Sequence, residues 1–250
     1  MTNAEFTKQL KKLVTKLERS FPAPAEGEAD PSLVPAAPEE ADGGVHDVIY
    51  AYLLWESTAD KAQAAFKRCL AAFSDCNEMR VAMPSELVEL FGAKYPRAEE
   101  RADRLRLTLN AIFHTEHVLS LDRVTEVPKR EAKAYLDGLD AIPSFVASRV
   151  ALLRFGAHAV PVDERLRALL ISESVLDAGD SDDMSAVCTK LERGIRAGEA
   201  EPFYLGLERF AASSPAVKRK KPVAEKRPRR SSAAGASRAG SSKKTTSKRS

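Results

Sequence analysis

Side chains that could do chemistry are sparse in this 250-residue sequence, and their spacing limits what that chemistry can be. His114 and His117 stand three apart beside Glu116, a helical spacing for two metal ligands. Zinc needs further ligands nearby, and the sequence supplies none, so an exposed helix end is the simpler reading and no metal site is assigned. Cys69, Cys76 and Cys188 are too few, and odd in number, for a disulfide framework, which fits a reducing cytoplasm. Cys69 and Cys76, seven apart, are expected to be buried on one helix. Trp55 and Tyr52 can stack on a base or pack in a core, and at helical spacing the core is the commoner fate. Asp163 stands just before the periodic segment Glu164–Leu170 and suits the N-cap of a helix. The run KRKKPVAEKRPRR, which contains Lys218, Arg219, Lys220, Lys221, Arg229 and Arg230, permits multivalent, sequence-blind contact with phosphates.

The elements that must position these residues read as helices. Val48, Ile49, Tyr52 and Leu53 form one apolar stripe, and Ala98, Ala102, Leu105, Leu109 and Ile112 form a longer one entered after Pro96. Val146, Val150 and Leu153 make a third, and Leu166, Leu169 and Leu170 a fourth. Asp182 and Asp183 suit the start of a helix carrying Val187, Leu191 and Ile195, closed by Gly198, and a last helix holds Phe203, Leu207 and Phe210. Alternation of period two is scarcely present, so strands are expected to be few or absent.

Four zones follow. Residues 1–21 carry Phe6, Leu10, Leu13, Leu17 and Phe21 on one helical face, with Lys8, Lys11, Lys12, Lys16 and Arg19 on the rest. Docking on the chain's own body is the expected use of that face, with a partner protein or an anionic surface as alternatives. Residues 22–44 hold five prolines, six acids and no basic residue, a composition that reads as a disordered linker. Residues 45–212 form the helical body, and residues 213–250 a disordered basic tail. No run of about 18 apolar residues occurs, which excludes a membrane span, and the N-terminus lacks the apolar run of a signal peptide.

The net charge of +3 hides an asymmetry, because residues 213–250 contain 13 Lys or Arg and one acid, Glu225. Removing these from totals of 39 and 36 leaves 26 basic and 35 acidic residues, a body of charge −9. A basic tail on an acidic body points to long-range attraction toward a polyanion, with local geometry left to do any binding by the body.

Residues 135–170, YLDGLDAIPSFVASRVALLRFGAHAVPVDERLRALL, carry a resemblance. They are similar to the hairpin and catalytic loop of the helix-hairpin-helix (HhH-GPD) DNA glycosylases of the endonuclease III type, in which Leu-Pro-Gly-Val-Gly joins two helices and Phe-Gly and Val-Asp follow. Ile142-Pro143 stand for Leu-Pro, Phe155-Gly156 for Phe-Gly, and Val162-Asp163 for Val-Asp. More weakly, residues 46–67 resemble the family's first body helix with its Leu-Leu-Ser-Ala-Gln-Ala-Thr-Asp ending, matched at Leu53, Leu54 and Asp60. Residues 94–109 resemble its long basic helix, and residues 203–210 its aromatic closing helix. The implied fold is all-α, a two-lobed helical body with the linker and tail appended.

The resemblance implies chemistry only in part. It places Asp163 at the family's catalytic aspartate, which stabilises positive charge on the sugar or activates the attacking nucleophile. Ser148 occupies the position of the Schiff-base lysine, and the neighbouring Arg149 cannot replace it, because a guanidinium offers no amine nucleophile. No strand-cleaving lyase activity is expected. Ser144 and Val146 replace the two hairpin glycines, and a valine at positive φ would be an outlier, so the turn must be reshaped. Pro143, Ser144, Phe145, Val146, Ser148 and Arg149 are the residues that would meet DNA. Ser57 replaces a glutamine that fills the gap left by a flipped base, and with Trp55 would line the base pocket. The chain has no cysteine after Cys188, so the family's iron–sulfur ligands are missing and no cofactor is expected.

Three functions compete: a monofunctional glycosylase using Asp163, a DNA-binding module that lost catalysis, and an interaction scaffold recruiting a protein through residues 1–21. Double-stranded DNA is the partner shared by the first two, for a monomer associated with the cytoplasmic nucleoid, or with the nucleus in a eukaryote. The enzyme reading requires Asp163 to face an open cleft beside Trp55 and Ser148.

Overall fold

The computed structural model describes residues 2–22, 24, 30, 33, 35, 42–179 and 183–213. The basic tail, most of the acidic linker and Asp182 lie outside the described residues. The described residues are helical with no strand, in the order α1 (Asn3–Ser20), α2 (Gly43–Leu54), α3 (Ala59–Ala72), α4 (Cys76–Val81), α5 (Pro84–Phe91), α6 (Ala98–Glu116), α7 (Asp122–Thr125), α8 (Lys129–Asp137), α9 (Ser144–Leu153), α10 (Glu164–Ser172), α11 (Met184–Gly194) and α12 (Ala197–Ser213).

The apolar spacing explains the packing. α2 is buried along nearly its whole length, from Gly44 to Leu54, and packs against α3, α6 and α9. α3, α5 and α6 close one side of it, with α4 set on α6. On the other side α9 meets α8, α11 and α12, and α12 holds α1 and α10. Two helices, α2 and α9, thus run through the centre, and the chain's chemistry-bearing turns sit at their ends.

Phe6, Leu10, Leu13 and Leu17 of α1 are all buried, so the apolar face that could have met a partner protein is covered by the chain itself. The approach is close: a side chain at Gly194 would bring its Cβ within 2.6 Å of Leu10. Asp30, an acidic residue of the intervening segment, is pinned near this contact by Arg209 at 2.6 Å.

Several boundaries differ from those expected. α2 begins at Gly43 because Asp42 caps it, accepting from Val45 N at 2.9 Å and, through its other oxygen, from Leu121 N. Cys69 and Cys76 lie on two helices, since the chain leaves α3 at Phe73 and Asp75 caps α4. α11 ends at Gly194, and Gly198 falls inside the first turn of α12. Asp183 does cap α11.

Candidate nucleic-acid interface

The α8–α9 hairpin is built from residues 138–143. Gly138 caps α8, and Leu139 and Ile142 donate to Leu136 and Leu139 in two tight turns. Pro143, at φ −70°, then starts α9. Because Ser144 and Val146 are already helical, neither carries the positive φ that the replaced glycines suggested; Ala141 does, at 63°. The turn is held from below, where the Tyr52 hydroxyl lies 2.7 Å from Thr108 Oγ1 and 3.2 Å from the Ala141 carbonyl, and Thr108 donates to Asp140 O at 3.0 Å. Burial removes the Tyr52 hydroxyl from titration by raising its pKa. The aromatic pair first read from the sequence therefore divides, with Tyr52 serving as a strut for the hairpin.

Of the residues expected to meet DNA at this hairpin, only Ser144 keeps a half-exposed side chain. Pro143, Phe145, Val146, Ser148 and Arg149 are buried. What the hairpin offers to solvent is Gly138, the acidic side chain of Asp140 and the half-exposed Ser144, at the start of a helix whose first-turn N–H groups lack intrahelical partners. Ser148 lines a polar cavity of about 240 Å³ with Lys133, Ser144, Cys188 and Glu192, and Asp163 is not part of its lining. At the far end of α9 the chain turns at Gly156, φ 59°, where Ala157 N reaches back to Ala151 O.

Asp163 caps α10 and is sealed. One carboxylate oxygen accepts from Leu166 N at 2.8 Å, the other from Glu56 N at 2.9 Å, and its side chain has no exposed surface. Glu56 reciprocates by accepting from Glu164 N at 2.9 Å, so the Trp55–Thr58 turn and the start of α10 clasp each other. Glu56 is in the left-handed region at φ 54°. Burial, and then the charge of Asp163, push the Glu56 pKa up to about 7.

A charge chain continues inward from Asp163. Arg165 Nε lies 3.5 Å from Asp163 and its Nη2 is 2.8 Å from Glu208. Tyr204 donates to Glu208 at 3.1 Å, and Arg149 Nε donates to the Tyr204 hydroxyl at 3.1 Å. Two carboxylates and two guanidinium groups therefore balance inside the core. Burial still pushes the Glu208 pKa upward, against the pull of Arg165. Arg149, expected to face DNA, spends its charge here and over the Tyr50 ring, 5.2 Å away.

The outward side of the same turn carries Trp55, only 6% exposed, with the α6 N-cap Arg97 and two arginines of α6 around its ring. The guanidinium carbons of Arg97, Arg104 and Arg101 lie 5.0, 5.5 and 5.6 Å from the indole. Arg101 is fully buried, donates to the Trp55 and Pro96 carbonyls, and lies 4.9 Å from the Tyr95 ring. Desolvation lowers its pKa to about 10, which leaves it charged at neutral pH. Ser57 is buried in the same turn. The structure thus brings Asp163 to the Trp55–Ser57 turn and keeps Ser148 in a separate cavity.

Glu56, Arg101, Arg165, Tyr204 and Glu208 were not among the residues singled out from sequence. Arg101 left one trace, lying on the apolar face of α6 four residues before Leu105, where a charge demands a buried partner.

No protein-family model and no curated protein matches the chain. Solved structures do. One is endonuclease III in a trapped covalent intermediate with DNA, at TM-score 0.60 and 16% identity over 82% of this chain and 85% of that one. A thermostable thymine-DNA glycosylase matches at TM-score 0.54 and 16% identity, over 85% of this chain and 89% of that one. The H. pylori 3-methyladenine DNA glycosylase bound to 1,N6-ethenoadenine matches at TM-score 0.56 and 15% identity, over 83% and 97%. The chain has the all-helical fold of the helix-hairpin-helix DNA glycosylases, at wide sequence divergence.

Proposed function

We propose that this chain is a DNA-binding protein built on the glycosylase fold, in which the aspartate at the catalytic position has become a structural anchor. The observation that carries this reading is the closure of Asp163: both oxygens accept backbone N–H groups, an arginine lies beside them, and no surface is left for a sugar or a water to approach. A carboxylate meant to stabilise developing charge on a sugar must face that sugar. Opening it here means breaking the clasp between Glu56 and α10 and exposing a buried ion pair, at a cost of several kcal/mol.

DNA remains the favoured partner for two reasons. The fold is shared with proteins solved on DNA, among them a non-covalent endonuclease III–DNA complex at TM-score 0.59 and 15% identity. The sequence also adds a tail with 13 basic residues to an acidic body. The tail supplies affinity by counterion release, and the hairpin backbone with the α6 arginines supplies the local contact.

The test uses full-length protein and fluorescent duplexes, undamaged or carrying a panel of damaged bases. Binding should weaken steeply with salt and on deletion of residues 213–250, with no base released from any duplex. Base release abolished by Asp163→Asn would reverse this reading in favour of a monofunctional glycosylase.

A further inference from the structure

The arginines around Trp55 are arranged in a way that ordinary surface ion pairing does not require. Glu100, one turn into α6, reaches Arg97 Nε with one carboxylate oxygen at 2.9 Å and Arg104 Nε with the other at 3.3 Å. A single anion thus bridges two guanidinium groups, both lying over one indole, and all three side chains are close to 40% exposed.

Two further observations mark the place. Arg101, fully buried beside the same ring, leaves its Nε and Nη1 without a hydrogen-bond partner among the described residues. Three guanidinium groups therefore converge on the ring, with Glu100 bridging the two exposed ones and the buried carboxylates of Glu56 and Asp163 acting on Arg101 from the inner side. Arg97 is also held at φ 51°, a conformation that costs a non-glycine residue about 1–2 kcal/mol. Paired charges on a helix surface return less than that. The strained N-cap aims Arg97 at the indole, and Trp55 gives both exposed guanidinium groups a flat seat. The cluster adjoins the hairpin, since the Tyr52 hydroxyl that reaches Ala141 O also lies 3.3 Å from Arg104 O.

We propose that Arg97 and Arg104, seated on Trp55, form a binding site for a backbone phosphate of DNA, and that the Glu100 carboxylate occupies the phosphate's position until DNA arrives. This rests on the DNA-binding reading and deepens it by naming the contact. A phosphodiester carries the same single charge as the carboxylate and offers two oxygens to the same two forks. The bridge keeps the arginines positioned and neutral toward other anions, and the duplex displaces it by bringing several contacts at once.

Trp55 is the only tryptophan, so its emission reports on this place and not on the tail. Full-length protein is titrated with a short labelled duplex, following DNA anisotropy for total binding and Trp55 emission for the site. Emission should change saturably and in step with anisotropy, while inorganic phosphate alone leaves it unchanged at millimolar concentration. Glu100→Gln should tighten binding about fivefold by removing the competing anion. Glu99→Gln, the same charge loss outside the bridge, should change it less than twofold. Arg104→Gln should weaken binding and reduce the slope of log affinity against log salt by about 0.9, one phosphate's share. Because Glu100→Gln is a gain, misfolding cannot imitate it. Tight anisotropy binding with constant Trp55 emission and equal effects of the two glutamate variants would overturn the site and leave DNA binding standing. Absence of anisotropy change would overturn both. Saturation of the emission change by inorganic phosphate at micromolar concentration would replace DNA with a free anion as the ligand.

Discussion

The turn from Trp55 to Thr58 has two faces, and they have been put to opposite uses. Toward α10 its backbone and Glu56 close over Asp163, which starts a buried charge chain. Toward α6 its indole gathers three arginines, of which Arg101 is buried and Arg97 and Arg104 stay partly exposed around the Glu100 carboxylate. The inward face is closed, with Glu56 at φ 54° and its carboxylates set against buried guanidinium groups, and belongs to stability. The outward face, with Arg97 at φ 51°, keeps positive charge in reach of solvent, and in the proposed reading it belongs to binding. On that reading, one short turn separates the fold from the reaction performed on it elsewhere.

The comparison breaks most readily at Asp163. If the inward face is structural, Asp163→Ala removes an N-cap, frees Glu56 N and leaves Arg165 dependent on Glu208. The expected loss of stability is about 3–5 kcal/mol, read from chemical denaturation. A change below about 1 kcal/mol would mean that the carboxylate is not bound as described.

Glu56 gives a smaller and pH-dependent effect. Its pKa is raised by burial from an ordinary 4.5 to about 7, so between those values the folded chain holds a proton that the unfolded chain has released. Stability therefore falls as pH rises through that window and is lowest above it. Glu56→Gln keeps the acceptor for Glu164 N and removes the charge. It should match the parent at pH 4 and exceed it by about 1–2 kcal/mol at pH 8, a figure reduced for partial exposure. Equal pH profiles in thermal melts of the two proteins would place Glu56 in open solvent.

The smallest expected effect lies at the hairpin. Ala141 pays a left-handed penalty of about 1–2 kcal/mol, of which Ala141→Gly returns part, because glycine loses about 0.5–1 kcal/mol more entropy on folding. A net gain of about 0.5 kcal/mol with unchanged DNA affinity would show that this strain shapes the turn and is not itself the contact.

Much of the fold was legible in the sequence. The stripes Val48–Leu53, Ala98–Ile112 and Leu166–Leu170 record helices whose burial is local in cause, and Pro143, Gly156 and Asp163 punctuate them where the structure turns or caps. Asp163 as an N-cap follows from its neighbours alone. Its closure does not, because it is made by Glu56, 107 residues earlier, and by an arginine that leans on Glu208, 43 residues later. The hairpin shows the same limit. The missing glycines at 144 and 146 foretold a reshaped turn, but nothing in their spacing marks Ala141 as the residue that takes the positive φ. Arg149 looked like a phosphate ligand for want of any sign that Tyr204 and Tyr50 would enclose it.

The central claim is that Asp163 holds the fold together and performs no reaction, and it is tested most directly in a complex already formed. Full-length protein in excess over a panel of damaged duplexes, at salt low enough to saturate binding, is followed for free base over hours. The account predicts bound DNA with every base still attached. Base release from any duplex that disappears with Asp163→Asn, in a variant that still binds, would contradict it.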